Sequence, residues 1–294
     1  MAKIVPYFTE DHSLFSTDEK SSIFVRHFRR GEPKLHFLLV HGALEHSGRH
    51  MDLVNFWLKS YHDVAITVFD GVGHGRSGGS RAYVDSFNLY IKDFIRVSEF
   101  VESKNLPHTE TIICAHSLGG LITLTALLDS SYEFPCKVKG LILSSPCIKP
   151  LTILAPLSLP LLEKLDRFTP KLHLPLIYRG SDLTRDQERA NDFDTDSMIP
   201  KFLTARMAHE VISASQKITG LSYYLRIPSL FLIAEADKLV DPESTLLFAH
   251  GIDKQLTKVI KYPHHHHELW NEIDREEIFK TMKVWVDKLL KESP

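Results

Sequence analysis

Ser117 stands in Ala115-His116-Ser117-Leu118-Gly119, where the β-rich run Thr111-Ile112-Ile113-Cys114 breaks off and an apolar helical stretch begins. A serine between small residues at a strand-to-helix junction suits a nucleophile elbow, because the turn is too tight for bulk and leaves the hydroxyl exposed at the strand end. Ala115 takes the first small position, where glycine is usual, and alanine still fits. The chemistry open to such a serine is acyl transfer. That chemistry asks for an imidazole base, a carboxylate to orient it, and two N–H donors for the developing oxyanion.

One donor is the backbone amide of Leu118, directly after the serine and at the positive end of the next helix. The other belongs to a loop after an earlier strand. Val40-His41-Gly42-Ala43 leaves such a strand, and Gly42 permits the turn that aims the Ala43 amide inward. The acid and base should follow the serine at the ends of later strands. Asp237 comes just after the apolar run Ser229 to Ala234. Asp241 competes with it, but Asp241-Pro242-Glu243 reads as an N-cap followed by an N1 proline, and Glu235 is a weaker rival. The base lies among His264, His265, His266 and His267, between the strand-like Val259-Ile260 and a helix. A metal reading of this run is disfavoured, since neighbours on an extended chain point alternately apart. No metal is expected, and acyl transfer of this kind needs no cofactor.

Longer motifs narrow the field. His41-Gly42-Ala43-Leu44-Glu45-His46-Ser47-Gly48-Arg49-His50 resembles the oxyanion loop of the monoacylglycerol lipase and lysophospholipase branch of the α/β hydrolases. Asp70-Gly71-Val72-Gly73-His74-Gly75-Arg76-Ser77 is similar to a turn common in that superfamily, and its glycines suit a tight strand exit. The resemblance runs from about residue 23 to 290 and is weakest between 149 and 226. It implies an α/β-hydrolase fold, agrees on Asp237, and selects His267 because relatives place a histidine directly before Glu-Leu; His266 comes second. His267 would then take the Ser117 proton while Asp237 steadies the imidazolium.

The resemblance also implies a small lipid-like ester as substrate, a monoacylglycerol or lysophospholipid, with Glu45 and Arg49 holding the headgroup end. The two could equally form a structural ion pair. Some relatives carry a second histidine three residues after the base, and Trp270 stands there instead, which leaves the headgroup open. Two other readings stay in play: a short-acyl carboxylesterase or small-peptide hydrolase on the same scaffold, and a catalytically silent relative that binds a ligand.

The elements that must position these groups are visible as an alternation. Apolar runs at Leu35 to Val40, Val64 to Phe69, Thr111 to Cys114, Val138 to Leu143 and Ser229 to Ala234 read as strands covered on both faces. Between them, Phe87, Tyr90, Ile91, Phe94, Ser98 and Val101 share one helical face behind a Ser86 N-cap. Asp274 and Glu277 suggest a capping box before Ile278, Met282, Val286 and Leu289. Residues 1–34 read as an opening meander, with Ser22 to Arg29 its strand. The pattern predicts an α/β fold with a mostly parallel sheet flanked by helices.

From 149 to 226 no strand-like run appears, while Ile199, Leu203, Met207 and Val211 fall four apart as one helical stripe. So long an excursion predicts an inserted helical cap at 149–226 over a core of 1–148 and 227–294. Its opening, Pro150 to Leu162, is an uncharged stretch that holds three prolines, too broken to span a membrane. This aliphatic surface could roof an acyl-chain tunnel or touch a lipid surface from outside.

Composition supports an ordinary globular chain. Of 294 residues, 43% are hydrophobic and 24% charged, and a net charge of -2 excludes a bulk pull toward nucleic acid. Cys114, Cys136 and Cys147 are odd in number and lack metal spacing, which predicts reduced, buried thiols. Pro6 breaks the first apolar run before acids arrive, so no signal-peptide core is read and a cytoplasmic setting is expected, with peripheral membrane contact through the cap.

Overall fold

The computed structural model describes residues 7–151 and 159–292. The first six residues, on which the reading of the N-terminus rests, and the middle of the apolar run from 150 to 162 lie outside the described residues. The chain opens with an antiparallel hairpin, β1 (Phe8–Phe15) and β2 (Ser22–Arg30). It continues through β3 (Leu35–Val40), α1 (Met51–Ser60), β4 (Val64–Phe69) and α2 (Phe87–Lys104). Then come β5 (Glu110–His116), α3 (Leu118–Leu128) and β6 (Val138–Ser144). The last part runs β9 (Ser229–Ala234), α8 (Pro242–His250), β10 (Thr257–Tyr262) and α9 (Arg275–Lys291).

These strands form one eight-stranded sheet in the order β1-β2-β4-β3-β5-β6-β9-β10. Only the pairs β1–β2 and β2–β4 are antiparallel. Each of β3, β4 and β9 is buried along its whole length, as strands roofed on both faces must be. Successive residues on one strand feed opposite faces. Leu38, Val40, Ile113 and Ala115 pack with α2 and α3, whereas Phe37, Leu39, Ile112 and Cys114 pack with α1 and α9. The three cysteines are buried and unpaired, and burial pushes the Cys136 and Cys147 thiols up to about 12.

The segment between β6 and β9 holds α4 (Leu159–Phe168), β7 (His173–Pro175), α5 (Gly180–Leu183), α6 (Gln187–Thr195), β8 (Phe202–Thr204) and α7 (Ala205–Ile218). Here the sequence reading needs correction. Two three-residue strands, β7 and β8, pair antiparallel, too short for any alternation to register. The proposed stripe is broken as well: Thr204 accepts from the Met207 amide and starts α7, so only Met207 and Val211 are helical. Leu203 sits in β8, and Ile199 packs with Leu183 and Phe193. The segment is fastened to the rest by Arg189–Asp52 at 2.6 Å, Arg275–Asp186 at 2.9 Å and Arg185–Glu272 at 3.0 Å.

Of the three helix starts read from the sequence, those at Ser86 and Asp241 keep their caps and the third does not. Ser86 caps α2 as read. Asp274 precedes α9, but its carboxylate is drawn away to His265 and Arg185, so the capping box does not form. Strand β1 escaped the sequence reading because it is a polar edge strand, Phe-Thr-Glu-Asp-His-Ser-Leu-Phe, exposed or half-exposed throughout.

Candidate active site

Three loops at the C-terminal ends of parallel strands converge on Ser117. The serine links β5 to α3 with φ 49° and ψ −116°, a left-handed conformation that a non-glycine residue adopts only where its surroundings impose it. The surroundings are tight. A Cβ on Gly119 would stand 2.4 Å from the Val40 carbonyl oxygen, so only glycine lets α3 approach β3 there. Ala115 is fully buried in the core, where its single methyl fits.

The Ser117 Oγ lies 2.8 Å from His267 Nε2, and His267 Nδ1 lies 2.6 Å from Asp237 Oδ2. An ionised carboxylate only accepts, so Nδ1 carries the proton and Nε2 is left to accept from the serine. The other Asp237 oxygen accepts from the Leu239 and Val240 amides at 2.8 and 3.1 Å, which holds the carboxylate still. Backbone bonds join the acid and histidine loops: Glu235 N donates to Tyr262 O and Ala236 N to His265 O.

The rivals have other duties. Asp241 caps α8, with Pro242 at the first helical turn. Glu235 pairs with Lys261. His264 is exposed, His265 binds Asp274, and His266 Nδ1 faces the Ser181 carbonyl. Among the described residues no group of three or more His, Cys, Asp or Glu could hold a metal.

Burial would lower the His267 pKa, but the Asp237 charge and hydrogen bond outweigh it, with Glu268 and Glu45 adding, and the net shift is upward. The His116 ring is tilted against His267 with centroids 4.8 Å apart, and burial together with that neighbour pushes it down to about 3, so it stays neutral. Ser117 is 7% exposed and His267 3%, so the hydrogen bond between them lies out of bulk water.

Ala43 and Leu118 share the wall of one cavity with Ser117, about 270 Å³ in volume. Leu44, Cys147, Leu239 and Val240 complete its core side. From the segment between β6 and β9 come Leu174, Leu176, Ile177, Leu203, Met207 and Val211. No described side chain lining it carries a charge.

The sequence profile described as Serine aminopeptidase, S33 (Hydrolase_4) matches residues 31–274. The chain belongs to this hydrolase family. Phospholipase YtpA of Bacillus subtilis is 25% identical over 90% of this chain and 99% of its own length. Monoglyceride lipase of Homo sapiens is 27% identical over 90% of this chain and 87% of its own. YnbC of Escherichia coli, an uncharacterized protein, is 25% identical over 94% of this chain, which spans only 46% of that relative. A soluble variant of the Saccharomyces cerevisiae monoglyceride lipase, solved with a substrate analog, superposes with TM-score 0.80 at 19% identity, over 96% of this chain and 95% of that one. The family member described here is therefore a lipase- or esterase-like α/β hydrolase, in the branch that the sequence motifs resemble.

The loop from His41 to His50 is densely bonded. Glu45 Oε1 accepts from the Gly42 amide at 2.5 Å and faces His50 Nε2 at 3.2 Å. Burial would raise the Glu45 carboxyl, but His50, His116 and Arg49 hold it well below the usual range. Arg49 approaches Glu45 Oε2 at 3.6 Å and donates to Glu268 Oε2 at 2.5 Å. The two form the ion pair that the sequence had left as an alternative, and neither lines the cavity beside Ser117. Trp270 packs edge-on against His50 and tilts against His116. Sequence reasoning missed the Glu45–Gly42 bond. Its only available signal was a carboxylate three residues after the turn glycine.

The 70–77 turn is structural, as its glycines suggested. Asp70 accepts from the Ser47 and Arg76 amides at 2.7 and 2.8 Å, while Gly73 and Gly75 adopt φ 77° and 44°.

The strained serine yields a stability test. Glycine adopts φ 49° at little cost, and a left-handed non-glycine residue costs about 1–3 kcal/mol. Ser117→Gly should raise unfolding stability by about 1 kcal/mol, measured by chemical denaturation, whatever its effect on activity. Unchanged or lowered stability would contradict the account of strain at the elbow.

Proposed function

We propose that the chain hydrolyses carboxylic esters of medium- and long-chain acyl groups, monoacylglycerols or lysophospholipids, through an acyl-enzyme on Ser117. His267 takes the Ser117 proton as the oxygen attacks the ester carbonyl, and Asp237 orients and stabilises the imidazolium. The amides of Ala43 and Leu118 receive the oxyanion. His267 then protonates the leaving alkoxide, and a water molecule, activated by the same ring, releases the fatty acid.

The observation that carries the substrate class is the cavity. Ser117 is part of its wall, which is otherwise mainly aliphatic side chains from both the core and the inserted segment, and this suits an acyl chain. We read 149–226 as a cap on the core of 1–148 and 227–294. The cap also exposes Leu161, Leu172, Ile177 and, at 75%, Phe168, which supports a peripheral contact with a lipid surface. Among the described residues no helix is long and apolar enough to cross a membrane. A cytoplasmic enzyme that visits lipid from the aqueous side fits this arrangement. Arg49 lines a separate polar hollow with His46, Arg189 and Asp196, so of the Glu45–Arg49 pair it is the residue within reach of a headgroup.

The family's description raises the peptide alternative. An aminopeptidase must seat a charged α-amine beside the scissile bond, and the uncharged wall around Ser117 gives it no counter-ion.

Burial of each methylene is worth about 0.8 kcal/mol, so kcat/KM for p-nitrophenyl dodecanoate should exceed that for the acetate by at least about tenfold. Val211→Trp, which fills the aliphatic end of the cavity, should remove that preference and spare acetate turnover. A wild-type preference for acetate would reject the lipid assignment.

A further inference from the structure

The oxyanion loop carries hydrogen bonds that the mechanism above leaves unused. His41, buried at the end of β3, has Nδ1 2.7 Å from the Gly42 carbonyl oxygen and Nε2 2.9 Å from the Gly71 amide nitrogen. A backbone amide only donates, so Nε2 accepts from Gly71. The ring proton therefore sits on Nδ1 and is donated to the Gly42 carbonyl. Burial lowers the His41 pKa, against the pull of Asp70 and Glu45, which keeps the ring neutral and in that one tautomer.

The Gly42 carbonyl and the Ala43 amide belong to the same peptide unit. No described peptide bond is cis, so the C=O and N–H of that unit point in opposite directions. Fixing the carbonyl toward His41 fixes the Ala43 N–H away from it, on the side where Ala43 shares a cavity wall with Ser117 and Leu118. The preceding peptide is held too, through Glu45 and the Gly42 amide. The loop is close to the nucleophile: a Cβ on Gly42 would stand 3.1 Å from the Ser117 Cβ.

We propose that His41 is a positioning residue for ester hydrolysis: by donating from Nδ1 to the Gly42 carbonyl it aims the Ala43 amide at the oxyanion, with Gly71 selecting the tautomer. The proposal rests on the acyl-transfer reading of Ser117. It gives the 70–77 turn a task beyond reversing the chain, since Asp70, by binding the Ser47 and Arg76 amides, sets Gly71 against His41. Freed from His41, the Gly42–Ala43 peptide could rotate, and the lost contact would be one made in the transition state and not in the ground state.

Asparagine carries an amide nitrogen where Nδ1 stands, whereas leucine fills similar space with no donor. His41→Leu should lower kcat by about 10- to 100-fold with KM changed less than about threefold, and His41→Asn should recover most of the loss. Affinity for an alkyl boronic acid, whose tetrahedral adduct places an oxygen in the oxyanion position, should fall in step with kcat. Thermal midpoints establish that each variant is folded. If His41→Leu fails to fold, His41→Gln replaces it, because its longer amide reaches toward Gly71 and not the Gly42 carbonyl, and the same loss is expected.

Wild-type kcat in the donor-less variant would overturn the proposal, as would equal losses in His41→Asn, or boronate affinity that does not follow kcat. Failure of the acyl-transfer reading shows itself separately in the same assay, as a wild-type protein without ester turnover or a Ser117→Ala variant as active as wild type.

Discussion

Ser117→Ala is expected to lower kcat for a medium-chain p-nitrophenyl ester by about 10⁶-fold, the scale on which removing a triad nucleophile acts. The reason lies in the division of labour at the site. The Ser117 Oγ stands 2.8 Å from His267 Nε2 and lines the cavity, so on this reading its loss leaves the base without a nucleophile to activate. The oxyanion amides and the cavity remain, so some rate above background should persist. Alanine meets the same φ of 49° as serine, so the thermal midpoint should stay close to wild type. A loss of activity that came with unfolding would say nothing for the hydroxyl; a loss in a folded protein does.

Asp237→Asn is expected to cost about 10⁴-fold in kcat and to change the pH profile as well. Asparagine can offer its NH₂ to His267 Nδ1, which turns the ring into the tautomer whose Nε2 bears a proton and accepts nothing. The shift has a definite sign. In the wild type, burial lowers His267, but Asp237 together with Glu268 and Glu45 more than offsets it, so the net pKa lies above the ordinary value of 6.5. The base works only when neutral, so kcat/KM should fall as pH drops through that raised value. Without the Asp237 charge the first of the raising influences is gone, and the acid limb should move to lower pH. Residual activity with an unmoved acid limb would mean that another carboxylate holds the histidine. Glu268 and Glu45 are candidates, since both add to the wild-type shift.

The sheet was legible because its strands are covered on both faces and so read as continuous apolar runs. The elbow was legible because its tightness limits residue size at Ala115 and Gly119, and Asp241 could be set aside through Pro242, a helix-start residue. Other features left no periodic trace. Four consecutive histidines share one composition, and what separates them is which neighbour each meets: Asp237 for His267, the Ser181 carbonyl for His266, Asp274 for His265. Only the resemblance to relatives chose among them from sequence.

The same limit hid the pairing of β7 with β8 and the pull of Arg185 on the Asp274 side chain, since both depend on contacts made by residues far away in the chain. His41 shows the point most sharply. Next to Gly42 it reads as a strand end, and its hydrogen bond to Gly71 comes from thirty residues on.

The most direct test of the central claim is covalent. A fluorophosphonate probe with an alkyl chain, followed by digestion and mass spectrometry, should place one adduct on the peptide containing Ser117. The rate of labelling should collapse in His267→Gln, whose side chain supplies no base. Labelling of a different serine at the wild-type rate, or no adduct in a protein that still hydrolyses esters, would contradict the account.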